Sequence, residues 1–197
     1  SQLEKLGYPV IGELVHSESA VPFVVQENVS VFADSYRLLR TNIKFLIGGG
    51  ESKVVLVTST FAGEGKSYVS RNIAASFALA GHKTILVNGD LHKPEKSFLF
   101  KNNTVNGLSA YLSNNTDFEK LVQTSEIENL WLISAGLIPP NATELIDSPK
   151  MLELLGVLKE RYEIIVIDSP PIGIVADSYI LAQQSDLLLF IVRYNFS

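Results

Sequence analysis

The sequence predicts an α/β fold, a doubly wound and mostly parallel sheet with helices on both faces. Two observations support this prediction. Five short apolar runs are nearly continuous, as in strands that are buried on both faces, and helical patterns separate them. The runs lie at residues 53–58, 84–88, 130–134, 163–168 and 186–192. With 197 residues, the chain is long enough for one domain with a sizeable core.

The first apolar run breaks into a glycine loop, residues 60–67, which ends in Gly-Lys-Ser and precedes an amphipathic helix. Glycines let successive backbone N–H groups converge on phosphate oxygens, and the N-terminal end of a helix favours anions. We expect Lys66 to reach the β- and γ-phosphates and Ser67 to bind Mg²⁺. Thr60 stands at the first glycine of the G-x-x-x-x-G-K-[ST] motif, so the prediction depends on the strand before the loop and the helix after it. The expected phosphate-binding residues are Ala62, Gly63, Glu64, Gly65, Lys66, Ser67 and Tyr68.

The helix after this loop has apolar residues on one face, and its end can be predicted. The apolar positions are Val69, Ile73, Phe77 and Ala80. Gly81 follows at a place where helices commonly end in the left-handed conformation. Further along, Ser148 as N-cap and Pro149 at the first helical position begin another helix.

Two later runs carry carboxylates to the same edge of the predicted sheet. The run 163–168 ends in Asp168, as in a Walker B strand that holds Mg²⁺ through water; the alternative is an ordinary core strand with a terminal aspartate. The run 84–88 leads to Asp90, whose alternative interpretation is a turn or N-cap residue. Ligands of doubly wound sheets bind beyond the carboxyl ends of the strands. We therefore expect Lys66, Asp90 and Asp168 to be catalytic, and Ser67, Asp90 and Asp168 to bind the metal.

A lysine, a magnesium ion and two carboxylates suit phosphoryl transfer, in which catalysis is mainly positioning and charge neutralisation. ATP is favoured over GTP because the chain has no Asn-Lys-x-Asp guanine motif.

Composition excludes several other classes. Hydrophobic residues make up 46% of the chain and charged residues 19%, which is typical of globular proteins. The net charge of −5 argues against non-specific nucleic-acid binding. Without cysteine the chain has neither disulfides nor thiolate zinc sites, and its three histidines are scattered. No apolar run reaches the roughly 18 residues that span a bilayer.

The chain resembles the cytoplasmic domain of the bacterial tyrosine kinases that control capsular and exopolysaccharide synthesis and export. Residues 34–42 are similar to the Glu-x-x-Arg-x-x-Arg-Thr-Asn helix of that family, and residues 90–94 to its Asp-x-Arg-Lys-Pro segment, called Walker A′. Residues 136–146 are similar to its Gly-Pro-x-Pro-Pro-Asn-Pro-x-Glu-Leu-Leu segment. Residues 6–12 resemble the juxtamembrane Gly-x-Pro-Val-x-Gly lead-in, and residues 168–171 match the Walker B Asp-Ser-Pro-Pro.

This resemblance implies an ATP- and Mg²⁺-dependent protein-tyrosine kinase with a P-loop NTPase fold like that of the MinD/ParA ATPases. Its substrate would largely be itself, in a ring of subunits with Asp34, Arg37 and Arg40 at the interface. The resemblance further implies a cytoplasmic domain at the inner face of the bacterial membrane. Its implied partners are a transmembrane polysaccharide co-polymerase segment, on the same or a separate chain, and a tyrosine phosphatase. From helical spacing alone, the three interface residues would form an i, i+3 salt-bridged surface.

The resemblance also suggests how the chain is organised. Residues 1–50 would comprise a juxtamembrane segment and an interface helix that packs on the core. Residues 51–197 would form the kinase core, which we expect to be truncated at its C-terminus.

Some residues depart from the family pattern and leave two alternatives open. Asn88 stands where many members carry the first Walker A′ aspartate, and an amide cannot act as a general base near neutral pH. His92 replaces the arginine of that segment, and the seven tyrosines are scattered rather than clustered. One alternative is a catalytically weak, nucleotide-gated scaffold of an export complex. The other is an ATPase switch of the MinD/ParA type, although Phe61 occupies the position of the signature lysine of that group.

Overall fold

The computed structural model describes residues 7–14, 31–93 and 106–194. The helices in these residues are α1 (Val31–Ile47), α2 (Lys66–Leu79), α3 (Leu108–Leu112), α4 (Phe118–Leu121), α5 (Ala142–Ile146), α6 (Pro149–Arg161) and α7 (Asp177–Ala182). The strands are β1 (Lys53–Ser59), β2 (Thr84–Asn88), β3 (Gln123–Thr124), β4 (Leu130–Ile133), β5 (Ile164–Asp168) and β6 (Leu187–Ile191). Leu6 and Pro94, which belong to two of the family-like segments, lie outside the described residues.

The strands form one six-stranded sheet in the order β3-β4-β2-β5-β1-β6. All neighbouring pairs are parallel except β3 with β4, which are antiparallel. Because β5 lies between β1 and β2, the carboxyl ends of these three strands meet at one edge. The predicted mostly parallel α/β sheet is confirmed.

Helices cover both faces of the sheet. Alternate residues of a strand point to opposite faces, and the apolar core is divided accordingly. On one face, Ile43 of α1 and Phe77 of α2 belong to the same buried cluster as Val57 of β1. On the other face, Leu154 of α6 clusters with Ile165 of β5, together with residues of α3, α5 and α7. The glycine loop that follows β1 thus leaves a strand that is packed on both sides.

The predicted strands all exist, and their ends differ by one residue or less. Two features differ from prediction. The two-residue strand β3 is too short to show any periodicity in the sequence. The run 186–192 was expected to be buried on both faces, and this is wrong: β6 is an edge strand, and the side chains of Leu188 and Phe190 are 42% and 45% exposed.

The three residues predicted at helix ends agree with the structure, whereas one residue of the predicted apolar face does not. Gly81 has φ of 89°, in the left-handed region. The Ser148 hydroxyl accepts a hydrogen bond from the Met151 amide, and Pro149 begins α6. The prediction that Ala80 belongs to the apolar face is wrong, because Ala80 follows the last residue of α2 and is exposed. Within residues 7–14, 31–93 and 106–194, no helix has the length and hydropathy that crossing a membrane requires.

Candidate functional site

The loop between β1 and α2 depends on glycine at two places. Gly63 has φ of 90° and Gly65 has φ of 94°. A Cβ atom on Gly65 would meet nothing within 4 Å, so the backbone angle rather than crowding requires glycine there. Gly65 also caps α2, since its carbonyl accepts the hydrogen bond of the Val69 amide at 2.9 Å. The N-terminal end of α2 consequently opens toward this loop.

Side chains hold the same loop from within. The Glu64 carboxylate is buried and accepts a hydrogen bond from the Phe61 amide at 2.7 Å. The Ser59 hydroxyl donates to the Phe61 carbonyl, also at 2.7 Å. On the outer side, Arg193 donates to the Gly63 carbonyl at 3.2 Å. Because the Glu64 side chain is engaged within the loop, the group it offers to a phosphate is its backbone amide.

The residues expected to bind phosphate run from this loop into the first turn of α2. Ala62 and Gly63 are exposed, whereas Lys66 is buried, with 8% of its surface exposed. Ser67 and Tyr68 are half-buried. Lys66 begins α2, so the lysine belongs to the end of the helix where the dipole is positive and anions are favoured.

Asp168 lies against α2, as its predicted role requires. It is the last residue of β5 and pairs in register with Val57 of β1 and Asn88 of β2. Its Oδ1 atom is 3.5 Å from the Ser70 hydroxyl, which donates to the Lys66 carbonyl at 2.8 Å. The carboxylate at the end of β5 is therefore next to the first turns of the helix that carries Lys66 and Ser67.

Asp90 lies at the same edge, and one of its oxygens forms a turn. The neighbouring Gly89 amide donates to the Asp168 carbonyl at 2.7 Å, which joins this loop to β5. The Oδ1 atom of Asp90 accepts from the amides of His92 and Lys93 at 3.1 and 2.9 Å. The alternative interpretation as a turn residue thus describes this oxygen, while no described residue donates to Oδ2.

The site contains hard oxygen ligands that fit a magnesium ion held jointly with a nucleotide. Among the described residues, no three His, Cys, Asp or Glu side chains are grouped so as to hold a metal by themselves. A hydroxyl at Ser67 and a carboxylate at Asp168 supply few ligands. A Mg²⁺ ion completes its coordination with phosphate oxygens and water in such sites. The residues present fit that arrangement.

The three residues expected at a subunit interface are all on α1 but differ in their contacts. Asp34 and Arg37 form an exposed i, i+3 pair at 2.6 Å. Arg40 instead donates to the Ser76 carbonyl of α2 at 2.8 Å. Burial, and after it the charge of Arg37, lowers the pKa of Arg40. Arg40 is therefore engaged within its own chain.

Sequence reasoning missed two residues next to the site, Ser70 and Asp177. Ser70 contacts Asp168, and the buried Asp177 contacts both His92 and Thr143. Ser70 could have been found from its helical position, one turn after Lys66. Asp177 gives no local signal, because its partners come from two distant segments of the chain, the loop after β2 and α5.

The loop, the carboxylate at the end of β5 and the parallel sheet define the class of P-loop nucleotide-binding α/β domains. The profile of a family described as an AAA domain matches residues 52–196. The septum site-determining protein MinD of Pyrococcus horikoshii, solved with Mg-ADP, is 22% identical with a TM-score of 0.61. That match covers 72% of this chain and 58% of MinD, and it shows the fold alone. The predicted fold class is confirmed.

Two further comparisons narrow this class. Tyrosine-protein kinase YwqD of Bacillus subtilis strain 168 is 39% identical over 161 residues, which is 81% of this chain and 68% of YwqD. The kinase domain of the Escherichia coli tyrosine kinase ETK matches with a TM-score of 0.91 and 25% identity, over 100% of this chain and 83% of that domain. The chain belongs to the bacterial tyrosine-protein kinases. The predicted family and the predicted protein-tyrosine kinase activity are confirmed.

Proposed function

We propose that this domain binds Mg-ATP at the loop between β1 and α2 and transfers the γ-phosphoryl group to tyrosines, largely on other copies of the same protein. The observation that carries the proposal is the contact of Asp168 with Ser70, 3.5 Å across the start of α2. This contact supports the proposal because Ser70 lies one turn after Lys66 in α2, and a lysine, a serine and a carboxylate suit a metal-bound triphosphate. Within the cell, the reaction would control capsular and exopolysaccharide synthesis and export.

The residues have separate roles in this proposal. Backbone amides of residues 62–68 surround the phosphates, and the Lys66 ammonium group neutralises charge that grows on them during transfer. The Ser67 hydroxyl and the Asp168 carboxylate hold the metal, with Asp90 supporting the transfer from the neighbouring strand. When bound, the magnesium ion neutralises charge on the phosphate oxygens.

Asn88 takes a structural part that is consistent with activity. Its Oδ1 atom accepts a hydrogen bond from the Asp90 amide at 3.2 Å, and its side chain is buried. An amide has no basic site near neutral pH, so Asp90 is the carboxylate of this segment that can assist proton transfer. If Asp90 does not suffice, the domain would be a nucleotide-gated scaffold, which is the second candidate function.

The nucleotide site is tested by calorimetry with ATP and Mg²⁺. We expect Lys66→Met to weaken ATP binding by about 10- to 100-fold, because charge-assisted contacts are lost. Asp168→Asn should leave ATP affinity within about threefold and lower Mg²⁺-dependent turnover by about 100-fold. Lys120→Met, at a lysine of α4 whose side chain is 66% exposed, is the control and should change neither. Unchanged ATP affinity in Lys66→Met would refute the site.

Kinase and scaffold are distinguished by intact-mass analysis of the full-length protein after incubation with Mg-ATP. Added phosphate that maps to tyrosine supports the kinase. If no phosphate is added while assembly still depends on the nucleotide, the scaffold is supported instead.

We also propose that α1 forms the contact between subunits of a ring, within the division of the chain at residue 50 given above. The Asp34–Arg37 pair lies on the exposed side of α1. Three apolar residues of α1 follow a seven-residue spacing and are 74%, 61% and 88% exposed: Val31, Leu38 and Phe45. Such a stripe on one helix face is typical of a contact surface. Sedimentation of Leu38→Glu should show loss of the oligomer without loss of ATP binding.

The remaining partners follow from family membership. A transmembrane co-polymerase segment would hold the domain at the inner face of the bacterial membrane, and a tyrosine phosphatase would reverse the modification. Co-purification from membranes with a crosslinker placed on α1 tests the first of these.

A further inference from the structure

The Asp177 side chain is a completely buried carboxylate that is held by two hydrogen bonds. It is 0% exposed. The Thr143 hydroxyl donates to its Oδ1 atom at 2.7 Å, and Nε2 of His92 donates to its Oδ2 atom at 3.0 Å. A buried carboxylate is costly unless it is paired and hydrogen-bonded. The contacts with Thr143 and His92 therefore constrain where these residues can lie.

The three residues come from the segments that follow three neighbouring strands: His92 lies in a loop, Thr143 in α5 and Asp177 at the start of α7. His92 follows β2, Thr143 follows β4 and Asp177 follows β5. These strands are adjacent in the sheet, in the order β4-β2-β5. One carboxylate thus joins three segments at the edge where a doubly wound sheet binds its ligand.

His92 is also joined directly to Asp90. The backbone amides of His92 and Lys93 both donate to Oδ1 of Asp90. A movement of the His92 backbone would consequently rotate the Asp90 carboxylate. The His92 ring, bound to Asp177, restrains that backbone.

A second histidine–carboxylate pair shows why the burial of Asp177 matters. Nδ1 of His82 lies 2.8 Å from Oε2 of Glu163, just before β5 and at the opposite end of the sheet. The Glu163 side chain is 48% exposed, so water can replace its partner. Water cannot replace the partner of the fully buried Asp177 in this way. Breaking the Asp177–His92 pair should therefore cost more than breaking the Glu163–His82 pair.

We propose that His92 is a positioning residue for phosphoryl transfer: Asp177 and Thr143 hold its ring, and its backbone orients the Asp90 carboxylate toward the metal–nucleotide complex. The inference rests on the function proposed above for Asp90. His92 itself does not touch the nucleotide. Groups that orient a metal ligand in this way commonly change metal affinity or activity by about 10- to 100-fold when they are removed.

The test compares His92→Ala, His92→Arg and the matched control His82→Ala in the full-length protein. Three quantities are measured: Mg²⁺ affinity in the presence of ADP, the kcat and KM of ATP turnover, and hydrogen exchange at the backbone amides of residues 92 and 93. We expect His92→Ala to lower Mg²⁺ affinity and kcat by about tenfold. The KM for ATP should stay within about twofold, because Lys66 and the loop amides are intact, and the amide of Lys93 should exchange faster.

Arginine at position 92 keeps a donor for the Asp177 carboxylate, so His92→Arg should restore kcat and Mg²⁺ affinity to within about threefold of the original. His82→Ala should change neither. A second variant guards against misfolding of His92→Ala. Thr143→Val leaves the His92 contact in place but removes the other donor, and it should lower kcat by about threefold in the same direction.

Normal kcat and Mg²⁺ affinity in folded His92→Ala, or in Thr143→Val if the former does not fold, would overturn the proposal. The proposal would also be overturned if kcat and Mg²⁺ affinity fell in His92→Ala, were not restored in His92→Arg, and fell equally in His82→Ala. That pattern would indicate a general loss of stability. A failure of the proposed function gives a different result. Lys66→Met would then leave nucleotide affinity unchanged, whatever the His92 variants show.

Discussion

At the scale of single residues, the left-handed backbone at Gly65 explains why the phosphate loop could be predicted. The requirements for glycine, lysine and serine are local, since each residue type follows from what one position must do. Asp177 shows the opposite case. Its significance comes from His92 and Thr143, 85 and 34 residues away in the chain, and nothing in the sequence around it indicates those partners.

Replacement of Gly65 separates backbone strain from crowding. We expect Gly65→Ala to destabilise the fold by about 1–2 kcal/mol, because an L-residue must adopt φ of 94° there while its Cβ meets no neighbour. Gly156→Ala is the matched control in α6, where a Cβ also meets nothing within 4 Å. It should stabilise the fold by about 0.5–1 kcal/mol. Urea unfolding of both variants measures the difference, and equal effects would contradict this account.

Glu64 provides a second prediction at this scale. Glu64→Ala leaves the Phe61 amide without its carboxylate acceptor, so we expect a loss of about 1–2 kcal/mol in unfolding free energy and weaker ADP binding. Glu64→Gln keeps an acceptor oxygen of the same reach and should lose less than half as much. Calorimetry and thermal unfolding give the two quantities. Similar behaviour of Ala and Gln at this position would show that the bond is unimportant.

At the scale of elements, the packing of α1 on α2 divides the three residues that resemble the family's interface motif. Their spacing places them on one helix face, as the sequence predicted, but spacing does not show which of them faces the chain's own core. The structure joins Arg40 to the Ser76 carbonyl and leaves the Asp34–Arg37 pair exposed. Beside this contact, Tyr36 is almost fully buried, and burial raises its pKa.

This division predicts different effects on the isolated domain. Arg40→Ala should lower the unfolding free energy by about 1–2 kcal/mol, because a charged donor to a helix carbonyl is lost. Arg37→Ala should cost less than about 0.5 kcal/mol, since exposed ion pairs contribute little. Chemical denaturation at low protein concentration makes the comparison without interference from assembly. A larger cost for Arg37→Ala than for Arg40→Ala would reverse our assignment.

Strands differ in how far the sequence describes them. Runs such as residues 84–88 are apolar because both faces are covered, and there the prediction is correct. The run that forms β6 has the same composition, yet Leu188 and Phe190 are partly exposed because β6 lies at the edge. Composition reports apolar character, whereas the number of neighbouring strands depends on the order of the whole sheet.

At the scale of the whole molecule, the order of the strands produces the site. Asp90, Asp168 and the loop after β1 are far apart in the chain, and they lie at one edge of the sheet because β5 lies between β1 and β2. The alternation of strands and helices predicted that these loops share one edge. It could not predict which strands are neighbours, and so the link from Asp177 to His92 became visible only in the folded chain.

The His82–Glu163 pair, at the opposite end of the sheet, should make stability depend on pH. The hydrogen bond from His82, and to a smaller extent that from the Lys83 amide, holds the pKa of Glu163 below its ordinary value of 4.5. A carboxylate with a lowered folded pKa contributes stability above the unfolded pKa and loses it as the pH falls through the folded value. We expect Glu163→Gln to flatten part of the acid limb below about pH 4.5. The effect should be small, because Glu163 is half-exposed.

Thermal unfolding between pH 3 and 7 measures this limb. His82→Ala should flatten the same part of it, and Glu160→Gln, an exposed glutamate of α6, is the control. An acid limb that is unchanged in both Glu163→Gln and His82→Ala would contradict the assignment.

The bonds that Ser59 and Glu64 make to Phe61 join residues of the loop to one another. A loop that its own side chains hold in place loses little conformational entropy when the nucleotide binds. We therefore expect nucleotide association to be limited by diffusion and orientation. Release of the nucleoside diphosphate would then limit kcat.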